Sequence, residues 1–176
     1  MPALPDVRIL LTADEIHTRV AAMAAAIRHD IRGDLHLIAV LKGAFVFLAD
    51  LARALGGPVS LDFLAVSSYA DGATAPGQVR LLKDLDSPLE DRDVLIVEDI
   101  IDTGFTLTYL RGLLGVRRPR SLRTAALLNK PSRRRVPVPI DYIGFDIEDR
   151  FVVGYGLDWG ERYRELPYIG VVDLVR

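Results

Sequence analysis

The stretch VLIVEDIIDTGFTL, Val94 to Leu107, decides the fold predicted for this chain. Its first four residues, Val94 to Val97, are apolar and mostly β-branched, which predicts a strand buried on both faces of a parallel sheet. Two carboxylates, Glu98 and Asp99, follow at once, and Asp102 comes after two more apolar residues. Three acids so close together repel one another, so their presence favours a site that requires them.

The residues after Asp102 are typical of an anion-binding turn at the start of a helix. Thr103, Gly104 and Thr106 are small or carry a hydroxyl, so backbone N–H groups can approach an anion closely there. The helix dipole favours negative charge at the same place. Apolar residues of the predicted helix are Leu107, Leu110, Leu113 and Leu114. A ribose 5-phosphate suits this arrangement, since its hydroxyls, directly or through a divalent cation, would meet the acids.

Composition and charge fit one globular domain with a small ligand. A chain of 176 residues is long enough to bury roughly 70% of its unfolded surface. Half of the residues are apolar and the net charge is −2, which argues against disorder and against a nucleic-acid surface. The absence of cysteine excludes disulfides and thiolate metal sites and agrees with a cytoplasmic protein. Neither an export signal nor a membrane segment is predicted.

Strand and helix patterns alternate along the chain. Thr12 and Glu15 have the spacing of a capping box before a first helix, and Gly33 predicts its end. A second helix is predicted after Gly43, with Phe45, Leu48, Leu51 and Leu55 on its buried side. Further strands are predicted at Leu35–Leu41, Val59–Val66, Gln78–Leu85, Ser121–Leu128 and Asp141–Phe145. This order predicts a parallel sheet covered on both faces, with ligands at the carboxyl ends of its strands.

The segment Ser67 to Gln78, SSYADGATAPGQ, has little apolar material to anchor it. It is rich in Ala, Gly, Ser, Thr and Pro, which predicts an exposed and mobile loop. Its position after a strand suggests a lid over the site.

Four further segments, together with the acidic stretch, resemble the purine phosphoribosyltransferases, and in particular the hypoxanthine-guanine members of that family. They are Leu41 to Leu51, Ser67 to Tyr69, Lys130-Pro131 and Phe151 to Val172. The resemblance implies a type I phosphoribosyltransferase fold, an α/β fold with a mostly parallel central sheet flanked by helices and a small hood. We expect one domain over residues 1–176, a lid at about 67–78 and a hood built from the terminal segments.

The same resemblance implies a site for 5-phosphoribosyl-1-pyrophosphate (PRPP). The implied contacts are Lys42, Gly43, Ser68, Tyr69, Glu98, Asp99, Asp102, Thr103, Gly104, Phe105, Thr106 and Arg164. Lys42 and Gly43 match a pyrophosphate-binding turn that is often built on a non-proline cis peptide, here Leu41–Lys42. Phe105 departs from the family, because many relatives carry a polar or basic residue there, so backbone donors have to supply its contribution to the phosphate turn.

Purine and metal contacts are implied in the same way. Asp102 matches the general base or acid that exchanges a proton with the purine ring, and Lys130 matches the donor to its 6-oxo group. Phe151 matches the aromatic that stacks on the base, while Val152 adds backbone contacts. Asp158 matches a residue of the purine site that also binds Mg²⁺. Glu98 and Asp99 match the pair that faces the ribose hydroxyls directly or through Mg²⁺.

Several of these residues also have an ordinary structural interpretation. Asp102 could be a helix N-cap, and Phe151 with Val152 could be core residues of a strand. Lys42, Asp158 and Arg164 could be surface charges, and Ser68 with Tyr69 could be ordinary loop residues. For the run Arg133 to Arg135 we expect a solvated face.

The expected function is purine salvage, in which hypoxanthine or guanine and PRPP give IMP or GMP and pyrophosphate. One alternative is a phosphoribosyltransferase that prefers xanthine. Another is a non-catalytic regulatory protein of the same fold that senses PRPP or binds RNA. Retention of Asp102, Lys42, Asp158 and Arg164 disfavours the sensor, and the near-neutral charge disfavours RNA. The resemblance implies Mg²⁺ as cofactor, no nucleic-acid or membrane partner, and a homodimer or homotetramer.

Overall fold

A mostly parallel sheet forms the centre of the protein in the computed structural model, which describes residues 6–68 and 79–172. The strands of the described part are β1 Val7–Leu11, β2 Leu35–Leu41, β3 Val59–Ser68, β4 Val79–Lys83, β5 Asp93–Ile101, β6 Ser121–Asn129, β7 Tyr142–Asp146, β8 Val152–Val153 and β9 Ile169–Val172. Its α-helices are α1 Ala13–Asp30, α2 Phe45–Leu55 and α3 Phe105–Gly115. The central sheet has the order β4-β3-β2-β5-β6-β7, and only β4 runs antiparallel to its neighbour. The predicted α/β fold is confirmed.

Strand β5 separates two apolar layers. Leu95 and Val97 belong to the cluster that contains the buried residues of α1 and α2. Val94 and Ile96 point the other way, into the cluster that contains the buried face of α3. Because both faces of β5 are covered, its apolar run does not alternate with polar residues. The short apolar stretch in the sequence therefore predicted the middle layer of the fold correctly.

Local signals fixed several element boundaries. Helix α1 begins with the predicted capping box, in which the backbone N–H of Thr12 donates to Glu15 at 2.8 Å. It ends at Asp30, three residues before Gly33. Strand β2 has its predicted bounds, while β3 and β6 run slightly longer and β7 is shifted by one residue.

The buried face of α2 differs from the prediction at its first residue. Phe45 is 43% exposed, whereas Phe47 is fully buried. Counting back from Leu51 and Leu48 in steps of four leads to Phe47 and Ala44, and both are buried. The assignment of Phe45 to the buried side was wrong because it lies one residue off this stripe.

A second sheet is built from both ends of the described chain. Its order is β1-β9-β8, and all its pairs are antiparallel. Val152, Ile169 and Val171 pack into the same apolar cluster as α1 and α2. The resemblance implies a hood built from the terminal segments, and β1 and β9 of the small sheet come from the two ends of the described chain.

Gly144 in β7 tests how tightly the central sheet is packed. A Cβ at Gly144 would lie 2.3 Å from the carbonyl oxygen of Leu127 in β6, so Gly144→Ala forces the backbone to move. We expect the variant to lose about 1–3 kcal/mol of unfolding free energy in urea denaturation. Gly112→Ala in α3 is the matched control, because its Cβ meets nothing within 4 Å. That control should gain about 0.5–1 kcal/mol, and equal stability of the two variants would contradict the packing.

Candidate active site

The candidate site lies at the carboxyl ends of β2, β5 and β6. These strands are parallel neighbours in the central sheet, so their carboxyl ends share one edge. Strand β2 leads into Lys42 and Gly43, β5 leads into Asp102, and β6 leads into Lys130. Three segments that are far apart in the sequence are therefore brought together.

The turn between β5 and α3 has the geometry of an anion site. Gly104 takes the N-cap position with φ +92°, and a Cβ there would lie 2.8 Å from the carbonyl oxygen of Val136. Helix α3 begins directly behind it, at Phe105. A small cavity of about 90 Å³ is lined by Glu98, Ile100, Ile101, Asp102, Thr103, Gly104, Thr106 and Leu107. Backbone donors and a helix N-terminus at such a cavity favour a bound phosphate.

Asp102 does not cap helix α3. The N-cap position belongs to Gly104, and no side chain makes a capping hydrogen bond there. Instead, Nε of Arg133 donates to Oδ1 of Asp102 at 3.0 Å. The interpretation of Asp102 as a structural cap is therefore wrong, and its carboxylate is partly exposed at the site.

Glu98 and Asp99 lie within β5 and not after it, because the strand continues beside β6 to Ile101. Consecutive strand residues point to opposite faces. Glu98 lines the phosphate-sized cavity, while Asp99 lies against Gly43. The two carboxylates therefore serve different parts of the site.

Burial changes the acidity of both carboxyl groups. The pKa of Glu98 is raised well above its ordinary value, mainly by burial and also by the charge of Asp99. Burial also raises the pKa of Asp99 to about 6, and Asp158 adds to the rise, whereas the Ile100 N–H and Arg164 oppose it. Carboxyl groups with raised pKa values near the end of a strand are typical of functional sites.

The Lys42–Gly43 turn is closely packed on Asp99. The Leu41–Lys42 peptide is cis, as the resemblance implies. A Cβ at Gly43 would lie 1.6 Å from Oδ2 of Asp99, so a residue without a side chain is required there. The Lys42 ammonium pairs with Glu161 at 2.8 Å, and both side chains are exposed.

Arg164 and Asp158 complete this side of the site. Nη2 of Arg164 lies 2.8 Å from Oδ1 of Asp158, and its Nη1 donates to the carbonyl oxygen of Gly156 at 2.8 Å. Nε of Arg164 is buried and has no hydrogen-bond partner among the residues that the structure describes. A Cβ at Gly156 would lie 2.1 Å from the carbonyl oxygen of Gly43, which shows how closely this segment lies against the turn. Cationic groups are thus available here for an anionic ligand.

Lys130 and Phe151 are the residues that the resemblance assigns to the purine base. Lys130 is 8% exposed, and its ammonium donates to the carbonyl oxygen of Arg150 at 2.6 Å. Phe151 is 41% exposed and precedes β8, whereas Val152 is buried. The core interpretation is therefore correct for Val152 and wrong for Phe151, whose ring is available for stacking.

The expected solvated face is confirmed for the exposed side chains of Arg133 and Arg135 but not for Arg134. Arg133 pairs with Asp102, and Arg134 is half-buried and donates to the side-chain oxygen of Asn129. The backbone N–H groups of Arg135 and Val136 both donate to the carbonyl oxygen of Thr103, at 2.9 and 3.2 Å. The run therefore packs against the phosphate turn. In the sequence, the position of the run just after the carboxyl end of β6 was the signal that could have predicted this contact.

The predicted lid and its two named contacts, Ser68 and Tyr69, lie at or beyond the edge of the described residues. Tyr69 and the lid up to Gln78 lie outside the described residues, and Ser68 is described only as the last residue of β3. Within residues 6–68 and 79–172, no three His, Cys, Asp or Glu side chains form a group that could hold a metal ion by themselves. No helix among residues 6–68 and 79–172 has the length and apolar character needed to span a membrane.

Asp99 should make stability depend on pH. The folded-state pKa rises from 3.8 to about 6, so the folded protein binds more protons than the unfolded chain between these values. The favourable contribution is complete below about pH 4 and is lost as the pH rises through about 6. Asp99→Asn should therefore stabilise the ligand-free protein, and more at about pH 7.5 than at about pH 5, in urea unfolding.

Asp93→Asn is the matched control for this measurement. The pKa of Asp93 is lowered by its hydrogen bond with Arg120, which is the opposite direction. This variant should lose stability, and by a similar amount at both pH values, because Asp93 is ionised at both. An Asp99→Asn variant that behaves like Asp93→Asn would contradict the assigned burial effect.

Comparison with known proteins agrees with this geometry. The family model for the phosphoribosyl transferase domain matches residues 9–159. A hypoxanthine-guanine phosphoribosyltransferase of Mycobacterium avium is 51% identical over 172 residues, which cover 94% of this chain and 85% of the relative.

Solved structures are similarly close. A hypoxanthine-guanine phosphoribosyltransferase from Bacillus anthracis, with a HEPES molecule in its active site, has a TM-score of 0.91 at 41% identity, covering 96% of this chain and 100% of that one. A Trypanosoma cruzi hypoxanthine phosphoribosyl transferase, studied for the role of its C-terminal region in oligomeric state and enzymatic activity, has a TM-score of 0.90 at 45% identity, covering 98% and 95%. The chain belongs to the phosphoribosyltransferase family, among the hypoxanthine and hypoxanthine-guanine phosphoribosyltransferases.

Proposed function

We propose that the protein is a purine salvage enzyme that transfers the 5-phosphoribosyl group of PRPP to hypoxanthine or guanine, giving IMP or GMP and pyrophosphate. The observation that carries this proposal is the shared edge where the phosphate turn, Asp102 and Lys130 meet. The names of the relatives, which are hypoxanthine and hypoxanthine-guanine phosphoribosyltransferases, support the same reaction.

PRPP would bind along the whole edge. Its 5-phosphate fits the turn Thr103 to Thr106 at the start of α3, where backbone N–H groups and the helix dipole favour an anion. Its pyrophosphate would meet Lys42 and Arg164, whose charges are now paired with Glu161 and Asp158. A pyrophosphate offers these cations stronger, multiple contacts, so binding involves an exchange of partners.

The residues present fit a magnesium ion that arrives with PRPP. Mg²⁺ commonly takes one or two carboxylates together with water and phosphate oxygens, and it seldom uses a complete protein cage. Asp158 lies close enough to Asp99 for its negative charge to raise the pKa of the Asp99 carboxyl group. We assign Asp99 and Asp158 as the carboxylates near the ion. Glu98, which the resemblance also implied for it, points to the other face of β5 and is assigned to the ribose hydroxyls. When bound, Mg²⁺ neutralises charge on the pyrophosphate leaving group.

The chain's own residues then manage the purine. Lys130 would donate to the 6-oxo oxygen, Phe151 would stack on the ring, and Val152 would contribute its backbone. The bond from C1′ of the ribose to pyrophosphate breaks, and a purine ring nitrogen forms the new bond to C1′. Asp102 accepts the proton that the imidazole ring of the base gives up.

The rival functions have less support. A PRPP sensor would not need a proton acceptor beside a purine-facing lysine, and Asp102 and Lys130 follow neighbouring strands here. Lys130 does not rank xanthine against hypoxanthine and guanine, so the substrate assay must include it. We also propose that residues 67–78 form a lid that closes over PRPP. The same proposal includes a cytoplasmic location and a homodimeric or homotetrameric state.

Base choice tests the proposed function most directly. A lysine ammonium has three donors and no acceptor, so Lys130 satisfies a 6-oxo group and leaves a 6-amino group facing a donor. With PRPP and Mg²⁺, we expect turnover of hypoxanthine and guanine and rejection of adenine. Lys130→Ala should lower kcat/KM for 6-oxopurines roughly 10- to 150-fold while the KM for PRPP stays nearly constant. A preference for adenine, or full efficiency of the variant, would refute the base assignment.

Asp102 tests the proton transfer separately. Asp102→Asn keeps the shape of the side chain and removes its basicity, so kcat should fall about 10²–10⁴-fold. Because the phosphate turn keeps its backbone, the dissociation constant for PRPP should change little in equilibrium binding. Asp86→Asn, at a carboxylate that is 80% exposed, pairs with Lys83 and does not line the cavity of the phosphate turn, is a control for loss of one negative charge. Equal turnover of Asp102→Asn and wild type would remove Asp102 from the chemistry.

A further inference from the structure

Arg133 lies between the two side chains that are assigned to the purine. Its Nε donates to Oδ1 of Asp102 at 3.0 Å, and its Nη1 lies 3.5 Å from Oδ2 of Asp149. The other oxygen of Asp149, Oδ1, lies 3.6 Å from the ammonium of Lys130. Four groups of alternating charge thus run from Asp102 through Arg133 and Asp149 to Lys130.

The two ends of this series, Asp102 and Lys130, are the groups that the proposed function assigns to a 6-oxopurine. The imidazole N–H and the 6-oxo oxygen lie next to each other on one edge of such a base. A protein that reads both must hold an acceptor and a donor at a fixed separation. Asp102 is the proposed acceptor and Lys130 the proposed donor, and Arg133 with Asp149 joins them.

We propose that Arg133 is a positioning residue that, together with Asp149, holds the Asp102 carboxylate and the Lys130 ammonium as one acceptor–donor pair for 6-oxopurines. The inference rests on the proposed function and adds to it a residue that sequence motifs did not assign. The Arg133 side chain contacts the carboxylates of Asp102 and Asp149, so it would act on the base through them.

The guanidinium suits this role better than a lysine would. Two different nitrogens of Arg133 contact two different carboxylates, and the planar guanidinium keeps these nitrogens in a fixed geometry. The bond to Asp102 uses Oδ1 alone. A lysine ammonium is a flexible point charge and does not fix both carboxylates. The hydrogen bond to Asp102 also raises the pKa of Arg133, so the guanidinium stays charged.

A purely stabilising role is a poor account of the same contacts. The side chains of Arg133, Asp102 and Asp149 are 47%, 39% and 50% exposed. Ion pairs with this exposure add little to stability, because water and salt screen them. Their orientation of the two reacting groups is therefore the property to test.

Steady-state kinetics of Arg133→Ala is the first test. We expect kcat/KM for hypoxanthine and guanine to fall roughly 5- to 10-fold, a change that corresponds to one partly exposed charged contact, with the KM for PRPP unchanged. Arg133→Lys should recover little of the loss. Arg135→Ala is the matched control, since it removes the same charge from an exposed side chain two residues away and should keep wild-type kinetics.

A double-mutant cycle with Asp102→Asn separates positioning from general damage to the loop. If Arg133 acts through Asp102, then Arg133→Ala in the Asp102→Asn background should cost less than about twofold. A structural role would reduce kcat/KM by the same factor in both backgrounds, and that result would overturn the inference. Wild-type kinetics of Arg133→Ala, or full rescue by lysine, would overturn it as well. No turnover of any 6-oxopurine by the wild-type protein would instead refute the proposed function, and the inference with it.

Discussion

The parallel pairing of β5 with β2 on one side and β6 on the other is the constraint on which the site depends. Parallel strands end at the same edge, so this pairing places Gly43, Asp102 and Lys130 together although they are far apart in the chain. The apolar run Val94 to Val97 enforces the pairing, because it is buried on both faces between the helices. Hydrophobic burial of the strands thus determines where Asp102 and Lys130 lie at the edge of the sheet.

The ligand-free site is a set of charges that already have partners. Lys42 pairs with Glu161, Arg164 with Asp158, and Arg133 with Asp102. In contrast, Glu98 is buried and Asp99 is half-buried, and the pKa values of both carboxyl groups are raised. An incoming phosphorylated sugar would replace the partners of Lys42 and Arg164, and a metal ion bound with it would bring positive charge to Asp99. Arg133 would keep its contact with Asp102. The backbone of the phosphate turn is already formed, and the cationic side chains around it are paired with carboxylates of the protein.

Local sequence patterns predicted the parts of the fold that depend on local physics. Strand β2 and the capping box of α1 follow from burial on two faces and from hydrogen bonds within one turn, and both are confirmed. The extension of β5 to Ile101 was missed because it depends on pairing with β6 and not on hydrophobicity. Phe45 was misplaced because two phenylalanines stand two residues apart and only one lies on the buried stripe.

The candidate site shows the same division. The acidic strand and the phosphate turn could be recognised from composition and spacing, whereas the remaining contacts came from the resemblance. Arg133 was missed because its partner Asp102 is 31 residues away. A run of arginines has no periodicity that separates a solvated side chain from one paired across the site. Such long-range ion pairs become visible only once the sheet places both loops at one edge.

The small antiparallel sheet has a consequence for the order in which the site is completed. Among the described strands, β8 pairs only with β9, and β9 pairs with β1 from the other end of the chain. Phe151 precedes β8, and its carbonyl oxygen accepts a hydrogen bond from Val172 at 3.0 Å. During synthesis, the phosphate turn leaves the ribosome long before Ile169–Val172 do. A nascent chain can therefore form the turn between β5 and α3 first, and the segment that carries Phe151 and β8 gains its strand partner only with the arrival of β9.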